Sequence, residues 1–285
     1  MMPFGPAVDY IQAVLSKFPA YREYRSGRIS REQYVERLEA QAAELRQRLG
    51  KFTHLYDLAI SYPADFDTQA EEIFSTLLAQ GFVPEQPAVA PFNQFRQRIL
   101  ASYDHGRYHT YIHPDEARLL YFISMARKPR HMVAIGSFYG YWAAWAMPGV
   151  QAAGGEALLV DPNREVCALA EENLRKLGFA DRTIVRAEKA ETVLPTMDGQ
   201  VELALLDATG PPDHPDPAYR GKGIYGFLIK DIFAIMRDGA LLVVHNDSLP
   251  ENDDVSLESF HAFCRDHFRK QLVAPTPEVF GVYLK

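Results

Sequence analysis

Cysteine is nearly absent from this 285-residue sequence, which contains only Cys167 and Cys264. Two thiols cannot build a disulfide framework, so the sequence points to a reducing compartment, with the cytoplasm as the default. Long apolar runs are missing as well. No stretch approaches the roughly 20 apolar residues of a membrane-spanning helix, so no membrane partner is expected. The opening MMPFGPAVDYIQAVLSKF lacks both a basic start and a small-residue cleavage site, and no export signal is read there. Basic charge is not in excess either. The sequence sets 30 Lys and Arg against 37 Asp and Glu, a formal charge of -7. Binding a phosphate backbone needs a concentrated basic surface, so nucleic acid is not expected as a partner. Repeats and low-complexity tracts are absent. What remains is ordinary globular composition, 47% hydrophobic and 24% charged, which favours an enzyme acting on a small molecule.

The two halves of the chain differ in texture. Up to about residue 127 the apolar periodicity is helical. Ser30 with Gln33 forms a capping box that opens one helix, SREQYVERLEAQAAELRQRLG, with Tyr34, Leu38, Leu45 and Leu49 on one face. FTHLYDLAISY is a shorter helix stopped before Pro63. Thr68 with Glu71 repeats the capping pattern before EEIFSTLLAQGF. The proline-rich VPEQPAVAPFN (83–93) reads as a linker or extended crossing. Helices FNQFRQRILASY and, after His113-Pro114, DEARLLYFISMARK follow. From residue 131 strands and helices alternate: HMVAI, ALLVD, the amphipathic NREVCALAEENLRKLG, RTIVRA, VELALLD, a helix YGFLIKDIFAIMRDG ending at Gly239, and ALLVVHN. A last helix, VSLESFHAFCRDHF, precedes KQLVA and EVFGVYLK, an antiparallel pair. Continuous apolar strands alternating with helices imply a parallel sheet covered on both faces. The expected architecture is α/β, a Rossmann-like doubly wound seven-stranded sheet with a terminal antiparallel strand, preceded by an all-helical extension. The domain boundary is drawn at 1–105 and 106–285.

The informative stretch is VAIGSFYGYW (133–142), where an apolar strand runs into Gly136 and Gly140 follows near the next helix. Glycine lets the backbone turn sharply and lets a ligand approach it. Its place is the carboxyl end of the first strand, where open α/β sheets form their crevice. The spacing is not G-x-G-x-x-G, and bulky Phe138 and Tyr139 would crowd a dinucleotide pyrophosphate. About 20 residues on, the second strand ends in Asp161, placed to accept hydrogen bonds from the ribose hydroxyls of an adenosine group. Capping of the following helix by Asp161 or Asn163 is the plainer role for that turn.

With these motifs in place, the stretch from about residue 110 to the C-terminus resembles class I S-adenosylmethionine-dependent methyltransferases, closest to the small-molecule, catechol-type O-methyltransferases. TYIHPDEARLLYFISMA followed by HMVAIGSFYGYW matches their helix, strand and glycine loop, with Gly136, Ser137, Gly140 and Tyr141 aligning position by position. Ala134 stands where an acid is usual, and Trp142 where a small hydroxyl residue is usual. The resemblance implies S-adenosylmethionine as cofactor. It makes Asp161, followed by Pro162, the ribose-binding acid, and IVRAEKAETVLP the segment over the adenine, with Glu188 and Ala190 near the base. Phe138, Tyr139 and Trp142 lie beside the loop, where aromatic rings would meet the sulfonium. The resemblance does not cover residues 1–105.

Methyl transfer needs alignment and loss of the acceptor's proton. Metal-dependent members of that family use an Asp ending the fourth strand and Asp-Asn ending the fifth. Here Asp207 matches the first and Asn246 the last, whereas His245 occupies the middle place and Asp247 follows. Two alternatives follow: Asp207, Asn246 and Asp247 hold a hard divalent cation, or the metal has been lost, which is the favoured reading. Without a metal, His245 is the natural general base; Asp207 is a second catalytic residue, orienting a substrate amine or hydroxyl and also counted among the cofactor-binding residues, and Tyr139 is a further catalytic candidate. His214 is a second, weaker candidate base. His105, His109 and His113 recur every fourth residue, but Gly106 and Pro114 break the frame. That segment reads as a lid with Tyr108 and Tyr111 facing the pocket. The N-terminal helices suit a lid, a dimerisation platform or plain packing, and a homodimer is plausible. Rival activities are cyclisation of the cofactor or transfer of its aminocarboxypropyl arm, either releasing methylthioadenosine, and a silent binding protein with the same fold.

Overall fold

A computed structural model describes residues 6–248 and 256–285. The start of the leader reading (1–5) and Val255, where the last helix was expected to open, lie outside the described residues. The chain begins with helices α1 (Pro6–Leu15), α2 (Pro19–Arg25), α3 (Arg31–Glu39), α4 (Ala42–Leu49) and α5 (Tyr56–Ser61). The capping box at Ser30 is present: its Oγ accepts from Gln33 N–H, and the Gln33 side chain accepts from Ser30 N–H. The single helix expected from Ser30 to Gly50 is broken at Ala40–Gln41. Both pieces still bury their apolar face, with Tyr34, Leu38, Leu45 and Leu49 in one cluster with Ile11, Phe18, Leu55 and Tyr62.

Next come α6 (Phe66–Ala79), α7 (Val89–Ser102) and α8 (Pro114–Arg127). The start of α6 lies earlier than the Thr68–Glu71 pattern suggests, because Asp65 caps it, accepting from Asp67 N–H and Thr68 N–H. Glu71 is thereby free to pair with the buried Arg118 of α8, which also holds Asp67 at 2.9 Å. The Arg118 guanidinium lies 5.4 Å from the Phe92 ring and 5.1 Å from Phe122. These contacts tie α6 and α7 to α8, and their apolar residues belong to the same core cluster as one sheet face. Packing of the apolar residues therefore changes near residues 63–65, between the cluster that runs to Tyr62 and the one that begins at Ala70.

The sheet domain continues as β1 (His131–Ile135), α9 (Tyr141–Ala144), α10 (Met147–Ala152), β2 (Glu156–Val160), α11 (Arg164–Lys176), β3 (Thr183–Arg186), α12 (Ala190–Val193) and β4 (Val201–Leu206). It ends with α13 (Tyr225–Ile235), β5 (Met236–Val244), α14 (Glu258–His267), β6 (Lys270–Ala274) and β7 (Phe280–Leu284). Strand order is β3-β2-β1-β4-β5-β7-β6. The first five strands are parallel, and β7 runs antiparallel between β5 and β6. The order reverses between β1 and β4, which opens a crevice at their carboxyl ends. Strand side chains alternate between two cores. Met132, Ala134, Leu203 and Leu205 face α7, α8 and α10, while Val133, Ile135, Ala204 and Leu206 face α12, α13 and α14. One boundary moves: β5 begins at Met236, and Gly239, expected to stop α13, lies inside the strand near a register irregularity with β4.

Helices α8 and α10 approach at Gly149, where a Cβ would run into the Ser124 carbonyl. Gly149→Ala should therefore cost about 1–3 kcal/mol through overpacking, read from urea unfolding. A loss under about 0.5 kcal/mol would show that the helices separate freely.

Candidate active site

Gly136 leaves β1 with φ +71 and sits so close to β4 that a Cβ would collide with the backbone of Asp207 and Ala208. Gly136 N–H and Ser137 N–H both donate to Val160 C=O of β2. The loop then passes through Phe138, a non-glycine residue at φ 49, and Gly140 at φ +80. A bulky residue in the left-handed region needs external support. Asp161 supplies it: one carboxylate oxygen accepts from Phe138 N–H at 3.0 Å, and the other accepts from Asn163 N–H at 2.9 Å. Burial pushes the Asp161 carboxyl up, opposed by those two N–H groups.

These ends of β1, β2, β4 and β5 border one cavity of about 800 Å³. Gly136, Phe138, Asp161, Pro162, Ala190, Asp207, His245 and Asn246 all line it, as expected from the sequence. Glu188 does not; it is exposed, and Lys189 and Glu191 beside it form the wall. The far end of the cavity is closed by Leu55 of the helical extension, by His109–Ile112 and by Glu278 of the β6–β7 turn. Tyr111 faces the cavity as expected, but Tyr108 instead packs on Phe138 and Tyr139. Behind the glycine loop lies a second void of about 30 Å³, lined by Ser137, Tyr139, Tyr141 and Trp142. The Ser137 Oγ and Trp142 Nε1 are buried there without hydrogen-bond partners.

An adenosine-bearing cofactor fits this donor set. Asp161 presents its carboxylate to the cavity, Gly136 admits a ligand against the main chain, and the volume lies in the range of small-molecule sites. A divalent cation does not fit. Asp207 Oδ1 takes the Lys222 ammonium at 2.5 Å and faces His245 Nδ1 at 3.2 Å. Asn246 Nδ2 donates to Glu278 at 2.6 Å. Asp247 points out of the cavity, accepting from Tyr283 O–H at 2.7 Å and lying 3.0 Å from His261 Nε2. The set Asp207, Asn246 and Asp247 is thus not brought together. No three His, Cys, Asp or Glu side chains among the described residues form a metal-holding group, and His105, His109 and His113 diverge along their segment. His105 meets Tyr139, and His113 meets Tyr62.

Two catalytic expectations need correction. Tyr139 is fully buried beneath the lid, its hydroxyl 2.8 Å from His105 Nδ1 and raised by burial, so it faces neither the main cavity nor an acceptor. His245 is not a free imidazole. Its Nδ1 lies 3.2 Å from Asp207 and 2.9 Å from Asn246 Oδ1, and its Nε2 lies 3.3 Å from the buried Glu116. Burial would lower its pKa, but Asp207 and Glu116 overcome that and hold it well above its ordinary value. With an acceptor oxygen facing each ring nitrogen, the imidazole is held toward its doubly protonated form, which works against a general-base role. His214 does line the cavity wall, stacked on Tyr219 with centroids 4.2 Å apart.

Sequence reasoning missed Glu116, Lys222, Thr276 and Glu278. Glu116 accepts from His113 N–H at 3.2 Å and from Thr276 O–H at 2.7 Å, besides facing His245. Lys222 follows Gly221, which pairs with Gly210 in an antiparallel bridge and so brings the lysine back to the end of β4. Such a glycine-flanked loop was the one local signal that could have marked it.

Fold and cavity together define a nucleotide-type α/β enzyme domain with its site at the strand-order switch. Residues 133–246 match a family described as a methyltransferase domain. The chain matches that description from within β1 to just past β5, a stretch that takes in the strand ends bordering the cavity. It is similar over 95 residues, at 27% identity, to the O-methyltransferase hkm8 of Aspergillus hancockii, covering 33% of this chain and 38% of that protein's length. The cofactor-bound protein Rv0187 from MTB superposes with a TM-score of 0.50 at 20% identity, over 70% of this chain and 98% of that one. An O-methyltransferase from Bacillus cereus, solved in complex with SAH, gives 0.49 at 14% identity over 78% and 100%. No helix among the described residues is long and apolar enough to cross a membrane.

Proposed function

We propose that the protein transfers a methyl group from S-adenosylmethionine to a small-molecule acceptor. The observation that carries this reading is the joining of Gly136 and Asp161 on one wall of the cavity, opposite an acceptor-sized space. When bound, the cofactor supplies a methyl group activated by its sulfonium. Asp161 would accept hydrogen bonds from the ribose hydroxyls, and Pro162 and Ala190 would flank the base. The Ser137 hydroxyl and the Trp142 indole N–H, both without partners behind the loop, offer polar contacts to the methionine arm. At the other end Leu55, Tyr111, Ile112, Pro211 and Tyr219 form an apolar-walled acceptor space and exclude water. The helical extension therefore acts as an acceptor-side lid. It is tethered by the 3.2 Å Tyr62–His113 contact. With an acceptor oxygen already facing each nitrogen of His245, a proton leaving the acceptor has the Glu278 carboxylate and the His214 imidazole, both lining the cavity, to receive it. The formal charge of -7 favours a small metabolite over a nucleic acid, and two buried free thiols suit a reducing compartment such as the cytoplasm.

Purified protein incubated with S-adenosylmethionine and a panel of phenolic, hydroxylated and amine acceptors should release S-adenosylhomocysteine only when an acceptor is present. Methylthioadenosine formed from the cofactor alone would overturn the proposal in favour of cyclisation or aminocarboxypropyl transfer.

A further inference from the structure

The end of β4 carries an arrangement that nothing in methyl transfer itself requires. Lys222 Nζ lies 2.5 Å from Asp207 Oδ1, 3.3 Å from Asp207 C=O and 3.3 Å from Ala208 C=O. An ammonium has three N–H donors, and all three have an oxygen here. The side chain is 15% exposed, and its ammonium lies 5.4 Å from the Tyr225 ring, so stem and head are both held. Chain geometry enforces this placement. The Gly210–Gly221 bridge closes the loop after β4, Gly221 turns at φ 52, and a Cβ on Gly210 would strike the Tyr219 carbonyl. Oxygen atoms that gather around a cation at the carboxyl end of β4 would otherwise suit a hard metal ion.

We propose that the Lys222 ammonium is the resident cation of this cavity, seated on Asp207 where the sequence resemblance would put a divalent ion. A metal at Asp207 would have to displace the ammonium or sit against it as a like charge. Asn246, committed to Glu278 and His245, and Asp247, facing Tyr283 and His261, would add nothing to it, so the oxygens open to a metal are the Asp207 carboxylate and the Asp207 and Ala208 carbonyls that the ammonium already occupies. Lys222 acts through Asp207 as a positioning residue: with its donors all used, it fixes the carboxylate orientation at the cavity wall. What it positions there rests on the methyl-transfer reading, but the cation assignment can be tested without turnover.

The probe is Mn2+, followed through the electron paramagnetic resonance signal of the free ion. Wild-type protein should leave Mn2+ free, with apparent affinity no tighter than about 1 mM. Lys222→Met keeps the stem over Tyr225 and vacates the oxygen cluster, so Mn2+ affinity should rise at least about tenfold, and Asp207→Asn in the same background should remove the gain. Wild-type binding below about 100 μM that Asp207→Asn abolishes would overturn the assignment, as would a folded Lys222→Met variant that binds no better than wild type. The wild-type measurement decides the matter alone if Lys222→Met fails to fold. Titration with S-adenosylhomocysteine in the presence of a chelator keeps the cofactor reading separate: loss of that binding would strike the proposed function and leave the manganese result standing.

Discussion

Replacing His245 with leucine is expected to destabilise the fold by about 3–5 kcal/mol, among the largest losses any single substitution here should produce. The reason lies in the company the ring keeps. Glu116 is inaccessible to solvent, and among the described residues the ion pair it makes is with His245 Nε2 at 3.3 Å. On the other side Asp207 meets Nδ1 at 3.2 Å. Removing the imidazolium leaves a buried carboxylate with only neutral donors, His113 N–H and Thr276 O–H. Burial pushes the Glu116 carboxyl up, and His245 is the main influence that brings it down. Without the histidine Glu116 should therefore protonate. The double variant Glu116→Gln/His245→Leu removes the stranded charge and should recover about 1–3 kcal/mol of the loss. Urea unfolding of wild type, both single variants and the double variant measures this. A His245→Leu loss below about 1 kcal/mol would show that the pair contributes nothing net.

The same cluster sets a pH dependence. His245 binds its proton more tightly when folded than when unfolded. Its contribution is therefore complete below the ordinary histidine value of 6.5 and is lost as pH rises through the elevated folded value. Asp207 and Glu116 are both lowered, despite burial acting to raise them. Their contributions are complete above the ordinary carboxylate range and are lost as pH falls through the depressed values. His245→Leu should abolish the alkaline decline specific to this ring.

What could be read from the sequence divides along physical lines. The glycine turn after the first strand, the acid ending the second, the alternation of strands with helices and the antiparallel ending were legible because each depends on local pattern: an apolar strand, a turn residue and an acid at a strand end. The capping box at Ser30 was legible for the same reason. His245 was placed correctly but misread in state. Its second carboxylate comes from Glu116, 129 residues away, which the sequence presents only as an acid at a helix start. Lys222 sits 15 residues beyond Asp207, across a loop whose closure depends on the Gly210–Gly221 bridge. Glu278 and Thr276 lay in what read as a tight connection. Arg118 gathers Asp67 and Glu71 onto α8, an attachment across residue 105 that periodicity cannot show.

Asp161→Ala is expected to weaken S-adenosylhomocysteine binding by at least about 100-fold. A hydrogen bond to a charged group contributes about 1.5–3 kcal/mol, and two ribose hydroxyls would each lose one. At about 1.4 kcal/mol per factor of ten, even the lower bound exceeds two decades. The loop adds to the loss. Phe138 stays at φ 49 with its N–H on the Asp161 carboxylate, so the variant frees a left-handed phenylalanine at the cavity mouth. Asp161→Asn separates the two contributions. Its amide oxygen can still accept from Phe138 or Asn163, but it lacks the charge and one of the two acceptors. It should therefore retain most of the folding stability while binding the ligand at least about tenfold more weakly than wild type. Calorimetric titration gives the affinities, and thermal unfolding without ligand gives the stability control. If Asp161→Ala binds within about threefold of wild type, Asp161 serves only to support the turns at Phe138 and Asn163, and the ribose must be held elsewhere. If both variants lose affinity only in proportion to their loss of stability, the carboxylate acts on the fold of the loop rather than on the ligand.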